Sequence, residues 1–435
     1  MKQFLQTFVF LLTSTLSLAS QNTYKLTVDE LFDRGLQNSI AIQSSVVKTQ
    51  ISDDKISLAK NKQLPDISVG GLFGYVGTPI IMDKDFSFMK HSDTPDWKQD
   101  YQLTATQPIY QGGRIKNSIK KARIEDEVAQ LSLLKDKSDL KLWLVTRYLD
   151  LFNLYKKREV YYQNIEESKV RLHDVEKMKE EGMITTNDVL RSKLVLTNYE
   201  LAYKETENDI AITSQQLDIV MGIDENTILE PDHAVLSSQL NIGTEDDYIY
   251  QAYRQYPDLK IAETNIALAQ NNLKLTKADY LPTLSLQASN TLARPIPNIS
   301  PAQDLYVNAW GVTLNLSYHL SSLFDKKRNI STAKHQVYLQ ELAKEQQKQN
   351  VRTEVRSAFV KHKEALDRIS ALEESLIQSK ENYRIVKNKY FNQLAILTDL
   401  LDANSVQLNA ELQLTAAKTN AIYTYYQLQK VSGNL

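Results

Sequence analysis

Cysteine is absent from the 435 residues, which rules out disulfides, thiolate metal sites, a cysteine nucleophile and an acylated N-terminal cysteine. Glycine is scarce, 12 residues where roughly 7% of a chain is usual. Between Val312 and Ser432 there is neither glycine nor proline. Both residues interrupt helices, so their absence over that length predicts very long helices of coiled-coil type rather than a compact globular core. The six histidines (His91, His173, His233, His319, His335 and His362) are scattered, and no pair has metal-ligand spacing. A formal net charge of -2 argues against nucleic acid as a partner. No phosphate-cradling glycine loop and no Ser/His/Asp arrangement is present, so the chain reads as no enzyme, with no cofactor, and any driving energy must come from a partner. Beyond the N-terminus no run of 18 apolar residues occurs, which excludes a transmembrane helix and leaves a β-barrel as the way into a membrane.

What is present begins with Met1-Lys2, an apolar stretch from Phe4 to Leu12, and small residues at Ser17 and Ala19. This pattern predicts a secretory signal peptide over residues 1–20. A short amphipathic segment, Thr27 to Gln37, and a helix from Ala41 to Lys62 follow, closed by Leu64-Pro65. Residues 66–76 and 99–110 alternate apolar and polar side chains as strands do, with a polar loop from Gly77 to Asp96 between them. A helical hairpin is expected over about 114–221, turning at Gly182, the only glycine between Gly113 and Gly222.

Residues 223–247 read as an irregular linker. The same order then returns: short helix, long helix to Leu281-Pro282, strands at about 283–291 and 306–318, and a hairpin at about 326–432. Leu64-Pro65 and Leu281-Pro282 lie 217 positions apart, and Asp188-Val189-Leu190 and Asp399-Leu400-Leu401 lie 211 apart. The chain is therefore two copies of one unit, residues 21–222 and 248–435. Ser39 stands where the second copy has Pro257, so the first short helix is expected to end less sharply.

Each strand has the length of a tilted membrane strand, and Trp97, Tyr101, Tyr280, Tyr306, Trp310 and Tyr318 cluster toward strand ends as an interfacial girdle would. Four strands cannot close a barrel, and open edges in lipid are costly, so the chain must oligomerise; a trimer supplies twelve strands and a dimer eight. A coiled-coil adaptor or surface interaction protein without a channel accounts for the helices but leaves the paired strands without a use.

In the runs Tyr390-Phe391-Asn392-Gln393-Leu394-Ala395-Ile396-Leu397-Thr398-Asp399-Leu400-Leu401-Asp402-Ala403 and Gly182-Met183-Ile184-Thr185-Thr186-Asn187-Asp188-Val189-Leu190, and in the two Leu-Pro elements, the chain resembles the TolC family of outer-membrane efflux proteins. The resemblance covers essentially everything after residue 20. It implies an α+β membrane protein: two repeats of long antiparallel coiled-coil helices plus a β-hairpin, forming a homotrimer with a twelve-stranded β-barrel in the outer membrane of a Gram-negative bacterium and a helical tunnel in the periplasm. It implies the exit duct of a tripartite efflux pump or type I secretion system, with a periplasmic adaptor protein, an inner-membrane transporter and outer-membrane lipid as partners. Asp399 and Asp402 match the acidic rings that constrict the family's periplasmic entrance, and Asp188 and Tyr390 match contacts of its closed state. The family's partner arginine falls at Ala395 and its hairpin glycine at Gln393, so the latch does not carry over as a whole: either closure is looser or Arg191 and Lys193 take the role. The tips, Gly182, Met183, Ile184 and Thr185 with Gln393, Leu394, Ala395 and Ile396, match the adaptor-docking turns. The loops Gly77 to Asp96 and Arg294 to Asp304 fit receptor sites and inert caps alike.

Overall fold

A computed structural model describes residues 23–77, 80–91, 95–232, 234, 242–297 and 302–435. The expected signal peptide, residues 1–20, and His233 lie outside the described residues. Eight strands and eight α-helices are described: β1 (Thr23–Leu26), α1 (Val28–Asn38), α2 (Ile40–Asn61), β2 (Asp66–Tyr75), β3 (Ile80–Met82), β4 (Met89–His91), β5 (Trp97–Gln111), α3 (Arg114–Glu180), α4 (Thr186–Met221), β6 (Ile228–Pro231), α5 (Glu245–Gln255), α6 (Pro257–Ala278), β7 (Thr283–Arg294), β8 (Val307–Ser317), α7 (Lys326–Phe391) and α8 (Leu397–Val431). The glycine-free stretches carry the longest helices: α3 runs 67 residues and α7 66, each about 100 Å.

The two copies recur element by element. α1 and α5 have 11 residues each, and α2 and α6 have 22 each. Ser39 breaks the first pair of helices with φ -61° and ψ 120°, and Tyr256 breaks the second with φ -62° and ψ 120°. The first short helix thus ends as sharply as the second, and Ser39 corresponds to Tyr256 rather than to Pro257. Proline at 257 occupies the first turn of α6, where its missing N–H costs nothing, so it is tolerated there but is not what makes the bend.

The chain divides into two compact units, Met1–Ile40 with Leu140–Ile242 and Ala358–Leu428, and Ala41–Asp139 with Gly243–Ser357 and Gln429–Leu435. In the first unit β1 and β6 form a parallel two-stranded sheet, Thr23 opposite Ile228 and Leu26 opposite Pro231. The segment 223–247 is therefore not wholly irregular, since β6 completes this sheet and α5 begins within it. The core here gathers Leu26, Leu31, Leu144, Phe152, Leu217 and Leu229. Tyr148 inserts its hydroxyl at the sheet's end, donating to the Leu26 carbonyl at 3.0 Å and accepting the Asp232 N–H at 2.8 Å. Burial raises its pKa to about 12.

The second unit carries an antiparallel sheet in the order β2-β5-β7-β8. Its strands differ from the sequence expectation at their ends: β5 starts at Trp97 rather than 99 because Trp97 pairs with Tyr75, and β7 continues to Arg294 because Arg294 pairs with Gln99. β8 runs 307–317 rather than 306–318. The expected polar loop holds the small hairpin β3–β4, Ile80 opposite His91. A register irregularity between Pro108 and Tyr110 falls where proline has no N–H for the ladder. Because register is unbroken from Gln99 to Pro108, Val69, Leu103, Asn290 and Trp310 lie in one row, and Ala105, Ala288 and Val312 in the next on the same face. That face also holds Ile67, Leu314 and Leu316, and Val69 is 82% exposed and Trp310 78%. The opposite face carries Ser68, Thr104, Ser289 and Thr313. Tyr280 is no girdle residue: it is buried, and its hydroxyl accepts from Asn329 Nδ2 at 2.7 Å.

Candidate functional site

Both long hairpins turn through the same backbone. In the first, Gly182 N–H meets the Lys179 carbonyl at 2.9 Å and Met183 N–H the Met178 carbonyl at 2.9 Å. In the second, Gln393 N–H meets the Tyr390 carbonyl at 2.9 Å and Leu394 N–H the Lys389 carbonyl at 2.8 Å. This six-to-one closure demands a left-handed residue after the helix. Gly182 supplies it at φ 75°, and Gln393 adopts it at φ 62°, a conformation that costs an L residue about 1–2 kcal/mol. The hairpin glycine is missing from the sequence, but its conformation is not.

At the tips Met183, Leu394 and Ile396 are exposed, Leu394 by 76%. Ile184 and Ala395 are half-buried against a core of Val175, Val189, Tyr383, Tyr390, Leu397 and Leu400, so of the four larger apolar side chains at the tips three are exposed. Thr185 is the N-cap of α4 in a capping box with Asp188: the Thr185 N–H donates to Asp188 Oδ2 at 3.0 Å, and Thr185 Oγ1 accepts the Asp188 N–H at 3.3 Å. The second hairpin has half of this arrangement. Ile396 has no side-chain acceptor, and only its N–H reaches Asp399 Oδ2, at 3.3 Å. Asp399 and Asp402 are exposed, one turn apart on α8, whereas Leu400, Ala403 and Asn404 point inward.

Asp188 and Tyr390 are near each other without a hydrogen bond. The Tyr390 hydroxyl is buried and has no hydrogen-bond partner among the described residues. Burial first, then the Asp188 charge, raises its pKa. Contacts between the hairpins run through other residues. Gln393 Nε2 donates to Met183 Sδ at 3.2 Å, and Arg191 Nη1 to Thr398 Oγ1 at 2.9 Å. Lys193 instead pairs with Glu176 at 3.0 Å, within the first hairpin.

Deeper, the Asn404 carbonyl oxygen accepts from Arg171 Nη2 at 3.0 Å and from the Tyr199 hydroxyl at 3.4 Å, while its amide donates to Asn164 Oδ1 at 3.1 Å. One α8 side chain thus joins α3 and α4. Arg171 is 6% exposed, also donates to Ser168 Oγ at 2.8 Å, and lines a cavity of about 290 Å³ with Val170, Tyr383, Lys387, Phe391 and Leu400. Sequence reasoning missed this cluster. A signal did exist, since Asn404 interrupts the stripe Leu397, Leu400, Leu408, the pattern of a register-fixing polar residue in a coiled coil. Among the described residues no group of acidic or histidine side chains could hold a metal ion, and no helix is long and apolar enough to cross a membrane.

The family described as outer membrane efflux protein matches residues 31–222 and 248–434. No curated protein matches the chain. Among solved structures, the outer-membrane channel OprN superposes with a TM-score of 0.76 at 17% identity, covering 94% of this chain and 90% of that one. CusC, described as forming a transmembrane channel, gives 0.78 at 16%, covering 93% and 92%. The outer membrane protein VceC from Vibrio cholerae gives 0.75 at 15%, covering 93% and 96%. At these identities the likeness is one of fold.

Proposed function

Because the chain belongs to the outer membrane efflux protein family, we propose that it is the trimeric exit duct of a tripartite efflux pump or of a type I secretion system, a passive conduit opened when a periplasmic adaptor engages its hairpin tips. The observation that carries this reading is the four-stranded sheet, whose outer strands β2 and β8 each have one edge unpaired among the described residues and whose apolar face is largely exposed. Lipid suits such a face, and further copies of the same sheet suit the edges. The chain supplies no chemistry of its own; an inner-membrane transporter, reached through the adaptor, provides the energy and selects the cargo.

In this reading the exposed Met183, Leu394 and Ile396 are the adaptor contacts, placed by the rigid turns at Gly182 and Gln393. The Arg191–Thr398 and Asn404 contacts hold the hairpins together in the closed state. Asp188 and Tyr390 contribute a helix cap and a packed ring to it. Asp399 and Asp402, repeated by threefold symmetry, form the acidic constriction and favour cations. Replacing both with asparagine and recording single trimers in planar bilayers tests the constriction: cation selectivity should fall, and unchanged selectivity and conductance would exclude these residues from the pore.

A further inference from the structure

The last turns of α4 bury Ser214, Leu217, Asp218 and Met221. Leu217 and Met221 enter the core of the first unit, and Ser214 Oγ accepts the Leu229 N–H of β6 at 3.2 Å. Asp218, one turn beyond Ser214 on the same side of the helix, is 0% exposed, and neither of its carboxylate oxygens has a hydrogen-bond partner among the described residues. The helix ends three residues later, at Met221. Gly222 is left-handed at φ 67°, and a Cβ there would lie 3.1 Å from the Asn38 side chain of α1, whose Nδ2 donates to the Met221 carbonyl at 2.7 Å. So the end of α4, which packs on α1 and β6, buries a carboxyl group on which no cation acts among the described residues.

The charges that act on Asp218 are Asp224 and Glu225, both acidic and both in the turn after Gly222. The charged side chains of α1 are Asp29, Glu30, Asp33 and Arg34, and Arg34 is paired with Glu30; β6 has only Glu230. Enclosing an ionised carboxylate without a partner is costly, so the packed corner favours the protonated acid. We propose that Asp218 is a proton-binding hinge: α4 packs on α1 and β6 with this carboxyl neutral, and loss of its proton loosens the corner between α4 and β6.

Burial, then Asp224 and Glu225, push the pKa of Asp218 up to about 7 from 3.8. Below 3.8 the packed and opened forms are both protonated. Between 3.8 and about 7 only the packed form keeps the proton, so packing weakens as pH rises through that window. This is the reverse of the usual salt-bridged aspartate.

The test is thermal unfolding of the full-length protein in detergent at about pH 5 and pH 8, comparing the native chain with D218N, in which the acid's shape is kept and its charge removed. The native Tm should fall more between the two conditions than that of D218N, whose Tm at the higher pH should exceed the native value by about 3 °C or more. Equal falls would overturn the proposal. Should D218N not fold, hydrogen exchange of the native protein decides: amides of residues 214–231, corrected for intrinsic exchange, should lose protection at the higher pH, and unchanged protection would overturn it. Neither readout involves transport, so the result is independent of the channel reading.

Discussion

Two buried polar side chains near the tips illustrate how differently single residues act here. Asn404 uses both ends of its amide, and one of its partners is the buried guanidinium of Arg171. A hydrogen bond to a charged group is worth about 1.5–3 kcal/mol, and removing one partner leaves the other stranded. Replacing Asn404 with alanine should therefore cost about 2–3 kcal/mol in denaturant unfolding. Replacing Tyr390 with phenylalanine removes a hydroxyl that is buried without a partner among the described residues, and should be neutral or stabilising by up to about 1 kcal/mol. A clear loss of stability in the phenylalanine variant would mean that the hydroxyl is bonded in the assembled protein. The sequence made Tyr390 visible because its motif is long and local. Arg171 stayed hidden because an arginine in a charged helix ordinarily faces water, and one of the partners that satisfy it when buried, Asn404, lies 233 positions on.

The elements were largely legible, for a physical reason. Glycine and proline bound them, so α3, α4, α7 and α8 could be read from what is missing between Gly113 and Gly182, Gly182 and Gly222, and Val312 and Ser432. The weak points were the four-residue strands β1 and β6, whose parallel pairing joins Thr23 to Ile228, and the three-residue β3 and β4. No periodicity can show in strands so short, and Pro231 reads locally as a break. The second tip is the converse case, an element formed against local preference. Since Gln393 is held at φ 62°, Gln393→Gly should relieve strain and stabilise the protein by about 1 kcal/mol, seen as a higher unfolding midpoint. A lower midpoint would show that the contact from Gln393 to Met183 outweighs the strain.

At the scale of the whole molecule the decisive feature is a sheet whose two faces differ and whose edges are open. Within β8, Val312 and Thr313 are neighbours in sequence, yet Val312 lies in the apolar row with Ala288 and Ala105, while Thr313 pairs with Gln287 on the polar face. In a monomeric soluble sheet both are exposed and a charge at either would be tolerated alike. In a barrel, by contrast, one meets lipid and the other the water-filled interior. A lysine on the lipid face of such a barrel costs about 2–4 kcal/mol near the midplane, and one facing the lumen costs little. Val312→Lys should therefore strongly reduce the amount of heat-modifiable trimer recovered from outer membranes, whereas Thr313→Lys should leave it near the native level. The contrast depends on β8 closing against a strand of another copy, because an open edge in lipid is unfavourable whichever face is charged. If the two variants assembled equally well, the apolar face would not be the lipid face, and the sheet would need a different partner than the membrane.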